Sequence, residues 1–203
     1  MRKMNVKAYL KIKVINENGK CIYYRRYRSR SFVIGFLNVL FTNLSGQTIT
    51  NINTSGSSYT ISLVDAIKVT DSSNDNNYGI QIGTGTTAPS VTDTRLSQLI
   101  TNGAGTGQMQ YGAVSVTGAV TNTTNNTGYI TVTRTFTNNS GASITVSEVG
   151  LVAWSGNASY ILSGTTYSQT NQFYLIIHDL LPTPITVPNG SSLSISYEIQ
   201  VAT

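Results

Sequence analysis

The sequence predicts an all-β protein: an antiparallel β-sandwich of jelly-roll type, or a related barrel, with an N-terminal β-hairpin and one short buried helix. Three observations carry this prediction. Leu193, Ile195, Tyr197, Ile199 and Val201 alternate with Ser194, Ser196, Glu198 and Gln200. That period of two places apolar side chains on one face of a strand and polar ones on the other. Turn-forming clusters of Asn, Gly, Ser and Thr recur every ~8–12 residues between about eight such runs, the spacing of sandwiches and barrels. Hydrophobic residues make up 39% of the chain, enough for a core, whereas charged residues make up only 10%, against a usual ~25%.

Taken in order, Val6, Ala8, Leu10, Ile12 and Val14 alternate with Lys7, Tyr9, Lys11 and Lys13, giving a strand with one apolar and one basic face. Asn16-Glu17-Asn18-Gly19 reads as a hairpin turn, and Lys20 to Arg30 as the returning strand. Ser31 to Leu44 predicts a helix capped by Ser31. It is apolar nearly all round, so it should be buried, under the sandwich or between subunits, and it is too short to span a bilayer. Strands are expected around Ile49–Ile52 and Tyr59–Val69, then at Tyr78–Gly83, with the polar loop Asp71–Asn77 between. Thr92 to Ile100 suggests one or two helical turns capped by Thr92 or Asp93. Strands follow at Gln108–Val120, Gly128–Thr137, Ser143–Trp154 and Tyr160–Leu162. Phe173–Ile177 is apolar enough for a central strand, and Asn189-Gly190 makes the tight turn before the last one. The expected division is a basic hairpin arm plus apolar helix over 1–44 and a sandwich body over 45–203.

Charge is unevenly placed. Residues 1–30 carry +9 and residues 31–203 carry −4. A basic segment on a mildly acidic body points to an acidic partner or nucleic acid at one end. Within it, Tyr23 and Tyr27 interleave with Arg25, Arg26, Arg28 and Arg30, and Lys7, Lys11 and Lys13 line the preceding strand. Arginine can bind phosphate in a bidentate manner and tyrosine can stack on bases. These nine residues are the candidate contacts to a protein partner or to nucleic acid. Strand alternation argues against sequence-specific readout.

Other motifs carry less. His178-Asp179 sets a base beside a carboxylate, but neighbours on a strand face opposite ways, and no nucleophile elbow accompanies them. The expected reading is a structural histidine and no catalytic site. Gly83-Thr84-Gly85 and Gly103–Gly107 lack the ending of a phosphate loop. Asp71, Ser73, Asp75 and Asn77 alternate as calcium ligands can, without the late glutamate. One His and one Cys offer no transition-metal cluster, and the lone Cys21 excludes an internal disulfide. No cofactor or metal is expected. Trp154, Tyr160 and Tyr167 are candidates for stacking on sugars. Seven asparagines (43, 53, 122, 125, 138, 157 and 189) begin glycosylation sequons. Lysines interrupt any apolar leader near the start, and no run reaches the ~18 apolar residues of a membrane span. A cytoplasmic product that joins an exported particle fits this.

Three stretches carry a resemblance. They are the basic hairpin continuing into Ser29-Arg-Ser31-Phe32-Val33-Ile34-Gly35-Phe36-Leu37; Gly79-Ile-Gln-Ile-Gly-Thr-Gly-Thr-Thr-Ala-Pro-Ser90 with Thr92-Asp93-Thr94-Arg95-Leu96; and Ser147-Glu148-Val149-Gly150-Leu151 with the segment from Ile185 to Ile199. In these the chain resembles structural proteins of tailed bacterial and archaeal viruses, and of icosahedral archaeal viruses with jelly-roll shells or turrets. The resemblance implies a virion location and an assembly role as a capsid, penton, turret or decoration subunit, usually oligomeric, with other virion subunits as partners and no catalytic residues. A lectin-like or receptor-binding module of a tail or fibre is the alternative.

Overall fold

A computed structural model describes residues 5–29, 31–45, 47–61, 67–156, 159–162, 165–168 and 171–202. The elements are β1 (Asn5–Ile15), β2 (Cys21–Ser29), α1 (Ile34–Ser45), β3 (Ile49–Ile52), β4 (Ser58–Ile61), β5 (Ile67–Lys68), β6 (Gly79–Gly83), β7 (Gln110–Asn122), β8 (Thr127–Thr137), β9 (Ile144–Ser155), β10 (Ser159–Leu162), β11 (Thr165–Ser168), β12 (Gln172–Val187) and β13 (Ser192–Ala202). The protein is all-β, with antiparallel sheets and one short helix.

The larger sheet has the order β2-β1-β13-β8-β7. In the smaller one β12 pairs with β9, and β5 and β6 follow one another along the other edge of β9. The alternation read from the sequence sets the register. Ala8, Leu10, Ile12 and Val14 face Ile199, Tyr197, Ile195 and Leu193 across the β1–β13 ladder. Leu10, Ile12, Phe136 and Ile195 from the larger sheet then meet Ile82, Leu151, Ile177 and Ile185 from the smaller one in a single core. At ~25 cal/mol per Å² of buried apolar surface, this shared layer is the main stabilising term.

The hairpin read as an arm is therefore the edge of the larger sheet. β1 contributes four core side chains and pairs along its whole length with the last strand. The chain path also follows from pairing. β9 pairs with β12 and β8 with β13. A long antiparallel ribbon thus folds over the core, with the β10–β11 hairpin at its far end.

Several expectations are corrected. The helix begins at Ile34, because 31–33 are drawn into pairing with β12: Phe32 bridges Ile177, and the His178 amide donates to the Ser31 carbonyl at 3.0 Å. Nor does this chain's own sandwich bury it all round. Ile34 (45% exposed), Leu37 (56%), Leu40 (41%) and Phe41 (42%) face outward, since one sheet flank cannot cover an all-round apolar helix. β12 is not a full central strand; β9 pairs along it, and beyond that the described residues add the short 31–33 stretch and the Thr54 amide, which donates to the Phe173 carbonyl at 2.8 Å. It runs on to Val187 through Pro182 and Pro184, which fall in a register shift between Leu180 and Ile185, a position where a missing N–H costs no ladder bond. Thr92 to Ile100 forms no helix. Asp93 instead closes a turn, accepting from the Ser90 amide at 2.8 Å. The expected strand over 59–69 is two short strands, β4 and β5, with 62–66 outside the described residues.

Candidate functional site

The strand register sorts the basic residues of β1 and β2 between two faces. Lys13 lies opposite Tyr24, Lys11 opposite Arg26 and Tyr9 opposite Arg28. With Lys7, these form the outward face of the larger sheet. Tyr23, Arg25 and Tyr27 lie opposite Val14, Ile12 and Leu10, on the core side. There the two tyrosine hydroxyls bond at 2.9 Å and both rings pack against the core. Burial, then the bond from Tyr23, pushes the Tyr27 pKa up to about 12. Arg25 lies over the Tyr23 ring at 5.4 Å. The nine candidate residues thus do not form one surface; Arg30 lies outside the described residues.

On the outward face Glu198 is the organising group. It accepts from Lys11 and, at 3.0 Å, from Arg26, whose guanidinium lies 3.7 Å from the centre of the Tyr9 ring. Partial burial alone would raise the Glu198 pKa, but the bonds and charges of Lys11 and Arg26 outweigh it and hold the carboxyl below its usual range. Further across the sheet the face is neutral. Thr131, Thr133 and Thr135 of β8 lie beside Glu198, Ser196 and Ser194 of β13, and the Thr133 and Ser196 hydroxyls bond at 2.8 Å.

The outer face of the smaller sheet holds a cluster that the sequence analysis missed. His178 Nδ1 lies 2.7 Å from Asp93 Oδ2, and Nε2 lies 3.0 Å from Glu148 Oε2. Glu148 is fully buried and also accepts from the amides of Gly85 (3.1 Å), Ser97 (3.1 Å) and Gln98 (2.7 Å) and from the Ser97 hydroxyl (3.0 Å). Burial disfavours its charge, yet these bonds, that of His178 first, lower its pKa to about 2. Burial also opposes charge on His178, and the bonds to Glu148 and Asp93 outweigh it, raising its pKa. The result is an imidazolium between two carboxylates, tying 84–98 to β9 and β12. Gly85 is required by this packing, since a Cβ there would overlap Ser97 Oγ and Glu148 Oε1. As predicted, His178 and Asp179 point opposite ways: Asp179 accepts from the Tyr197 hydroxyl at 3.1 Å. Both imidazole nitrogens are engaged by carboxylates, and Ser97 bonds Glu148 rather than the ring, so among the described residues no hydroxyl bonds the imidazole.

Of the alternating residues of 71–77, Asp71 turns its carboxylate to a guanidinium, whereas the Asp75 carboxylate accepts from the Asn77 amide at 2.8 Å. Arg134 is fully buried and donates to Asp71 Oδ2 (3.2 Å), to the carbonyls of Tyr78 (2.8 Å) and Gly112 (2.7 Å), and to that of Asp75. Trp154 is half-buried, 6.4 Å from Tyr78 and with Lys68 4.6 Å above its ring. The side chains of Tyr160 and Tyr167 lie outside the described residues. Among the sequon asparagines, Asn53 and Asn138 are buried and bonded, the latter to the carbonyls of Ala142 and Val187 at 2.8 Å each; Asn157 lies outside the described residues.

A third feature is an apolar groove of ≈ 420 Å³ between the start of α1 and the 91–92 turn, lined by Val6, Phe32, Ile34, Leu37 and Val91 among others. Among the described residues no helix is long and apolar enough to cross a membrane. No family model matches the chain, and no curated protein or solved structure matches it.

Proposed function

We propose that the chain is a structural subunit of a virus particle, a capsid, penton, turret or decoration protein of jelly-roll type that acts by packing against neighbouring subunits and not by catalysis. The observation that carries this reading is the outward apolar row Ile34, Leu37, Leu40 and Phe41 on α1, continuous with the groove at Val6 and Val91. Contiguous apolar surface of this kind marks interaction sites. The ribbon of β8–β9 against β12–β13, folded over the core, supports the jelly-roll assignment. The basic face of β1–β2 supplies a second contact, to a neighbouring subunit or to packaged nucleic acid.

Light scattering and electron microscopy of the purified protein over a range of concentrations test the reading. The expected result is a discrete oligomer or particle that Leu37→Asp with Phe41→Asp reduces to monomers of unchanged thermal stability, because both side chains are exposed. A wild-type protein that stays monomeric at every concentration overturns it.

A further inference from the structure

Glu198 divides the outward basic face into a neutralised pair and a free set. Lys11 and Arg26 are both spent on it, and Arg26 also lies over the Tyr9 ring. Lys7, Lys13 and Arg28 have no ion-pair partner among the described residues. Same-face residues on a strand are ~7 Å apart, so the free cations are spread along the face, Lys13 at one end and Arg28 with Lys7 ~14–20 Å away at the other, beyond the pair that Glu198 neutralises. Such a spread suits a ligand that repeats its negative charge along an extended chain. Beside it lies Tyr24, 52% exposed, directly across from Lys13 and with no ring contact among the described residues. An exposed aromatic ring beside a free lysine, on a sheet face that no described residue covers, is the arrangement on which an unpaired base stacks while its backbone is held electrostatically. An acidic polypeptide would use the cations and leave the ring idle.

We infer that the outward face of β1–β2 binds single-stranded nucleic acid without sequence preference, Lys7, Lys13 and Arg28 contacting phosphates and Tyr24 stacking on a base. Glu198 restrains the affinity by withholding Lys11 and Arg26 and by adding a negative charge to the face. This names the partner of the basic face in the reading above, yet it rests on that face alone. A chain that remains monomeric can still bind, and a particle can assemble without binding.

The test is fluorescence anisotropy of the full chain with labelled oligothymidylate and oligouridylate in rising salt, with polyglutamate as competitor and light scattering on the same samples. Binding should weaken with salt with a log–log slope of roughly −2, as about three phosphate contacts on a single strand require. Lys7→Ser with Lys13→Ser and Arg28→Ser should abolish it. Tyr24→Ala should weaken oligonucleotide binding roughly tenfold while leaving retention on heparin unchanged, and Glu198→Gln should strengthen it several-fold. Three results each overturn the inference: no binding at the lowest salt, oligonucleotide affinity of Tyr24→Ala equal to wild type, or polyglutamate competing as well as unlabelled oligonucleotide. None of them bears on assembly, which the scattering reads separately.

Discussion

The smaller sheet is covered on its outer face. The 84–98 segment is bonded to Glu148 and His178, Leu96 lies against Gly150, and Val33 joins Val152 and Leu175 in a second apolar cluster. The larger sheet, among the described residues, carries its own lysines, arginines, serines and threonines outward, with Tyr9, Tyr24, Glu198 and Gln200, and no segment laid over them. Both sheets line the core between them, so the contrast lies in their outer faces. A covered face needs its buried polar groups satisfied and contributes stability. A bare face that holds free cations contributes little stability and is available to a ligand. Substitutions should therefore separate cleanly: those under the cover cost stability, and those on the bare face do not.

The largest effect is expected from Glu148→Ala. It orphans the amides of Gly85, Ser97 and Gln98 and leaves His178 with Asp93 alone. Breaking a buried pair costs about 3–5 kcal/mol, which urea unfolding measures directly. Gly85→Ala should cost about 1–3 kcal/mol by overpacking against Ser97 and Glu148. A loss under 0.5 kcal/mol would show that the segment is not clamped.

The pH dependence sharpens the same contrast. The folded Glu148 pKa of about 2 lies below its ordinary 4.5, so its contribution, on the order of 3 kcal/mol, is present above pH 4.5 and lost as pH falls towards 2. The His178 pKa is raised above 6.5, so its share is complete below pH 6.5 and lost as pH rises through the raised value. The two describe one interaction and are counted once. Unfolding free energy should peak between about pH 5 and 6.5, and His178→Gln should remove the alkaline decline; an unchanged decline in that variant would implicate another group. The smallest effect belongs to the bare face. Thr135→Ala and Lys13→Ser should each change stability by no more than ~0.5 kcal/mol, and a loss above 1 kcal/mol in either would mean that this face is covered in the folded protein.

How legible these features were in the sequence depends on the range of the interaction. The alternation of β1 and β13 fixed which residues enter the core, because side-chain direction on a strand has a period of two whatever the strand pairs with. The same rule carried a signal that went unused. Val132, Arg134 and Phe136 share a face, so a guanidinium had to lie in the core, and a charge there requires partners. Glu148, set among Val146, Val149 and Leu151, gave a similar warning. Neither residue could identify its partners, since Arg134 finds Asp71 across 63 positions and His178 finds Asp93 across 85.

By itself the sequence determined the all-β class, the inward and outward faces of the terminal strands, and the concentration of positive charge near the start. These depend on neighbours two residues apart and on composition. Only the tertiary structure decided that the basic hairpin is the edge of a sheet, that Glu198 neutralises two of its cations, that the helix leaves Ile34, Leu37, Leu40 and Phe41 outward, and that Asp93, Glu148 and His178 meet. Each of those depends on which distant strand lies alongside, and that choice is made by the packing of the whole core.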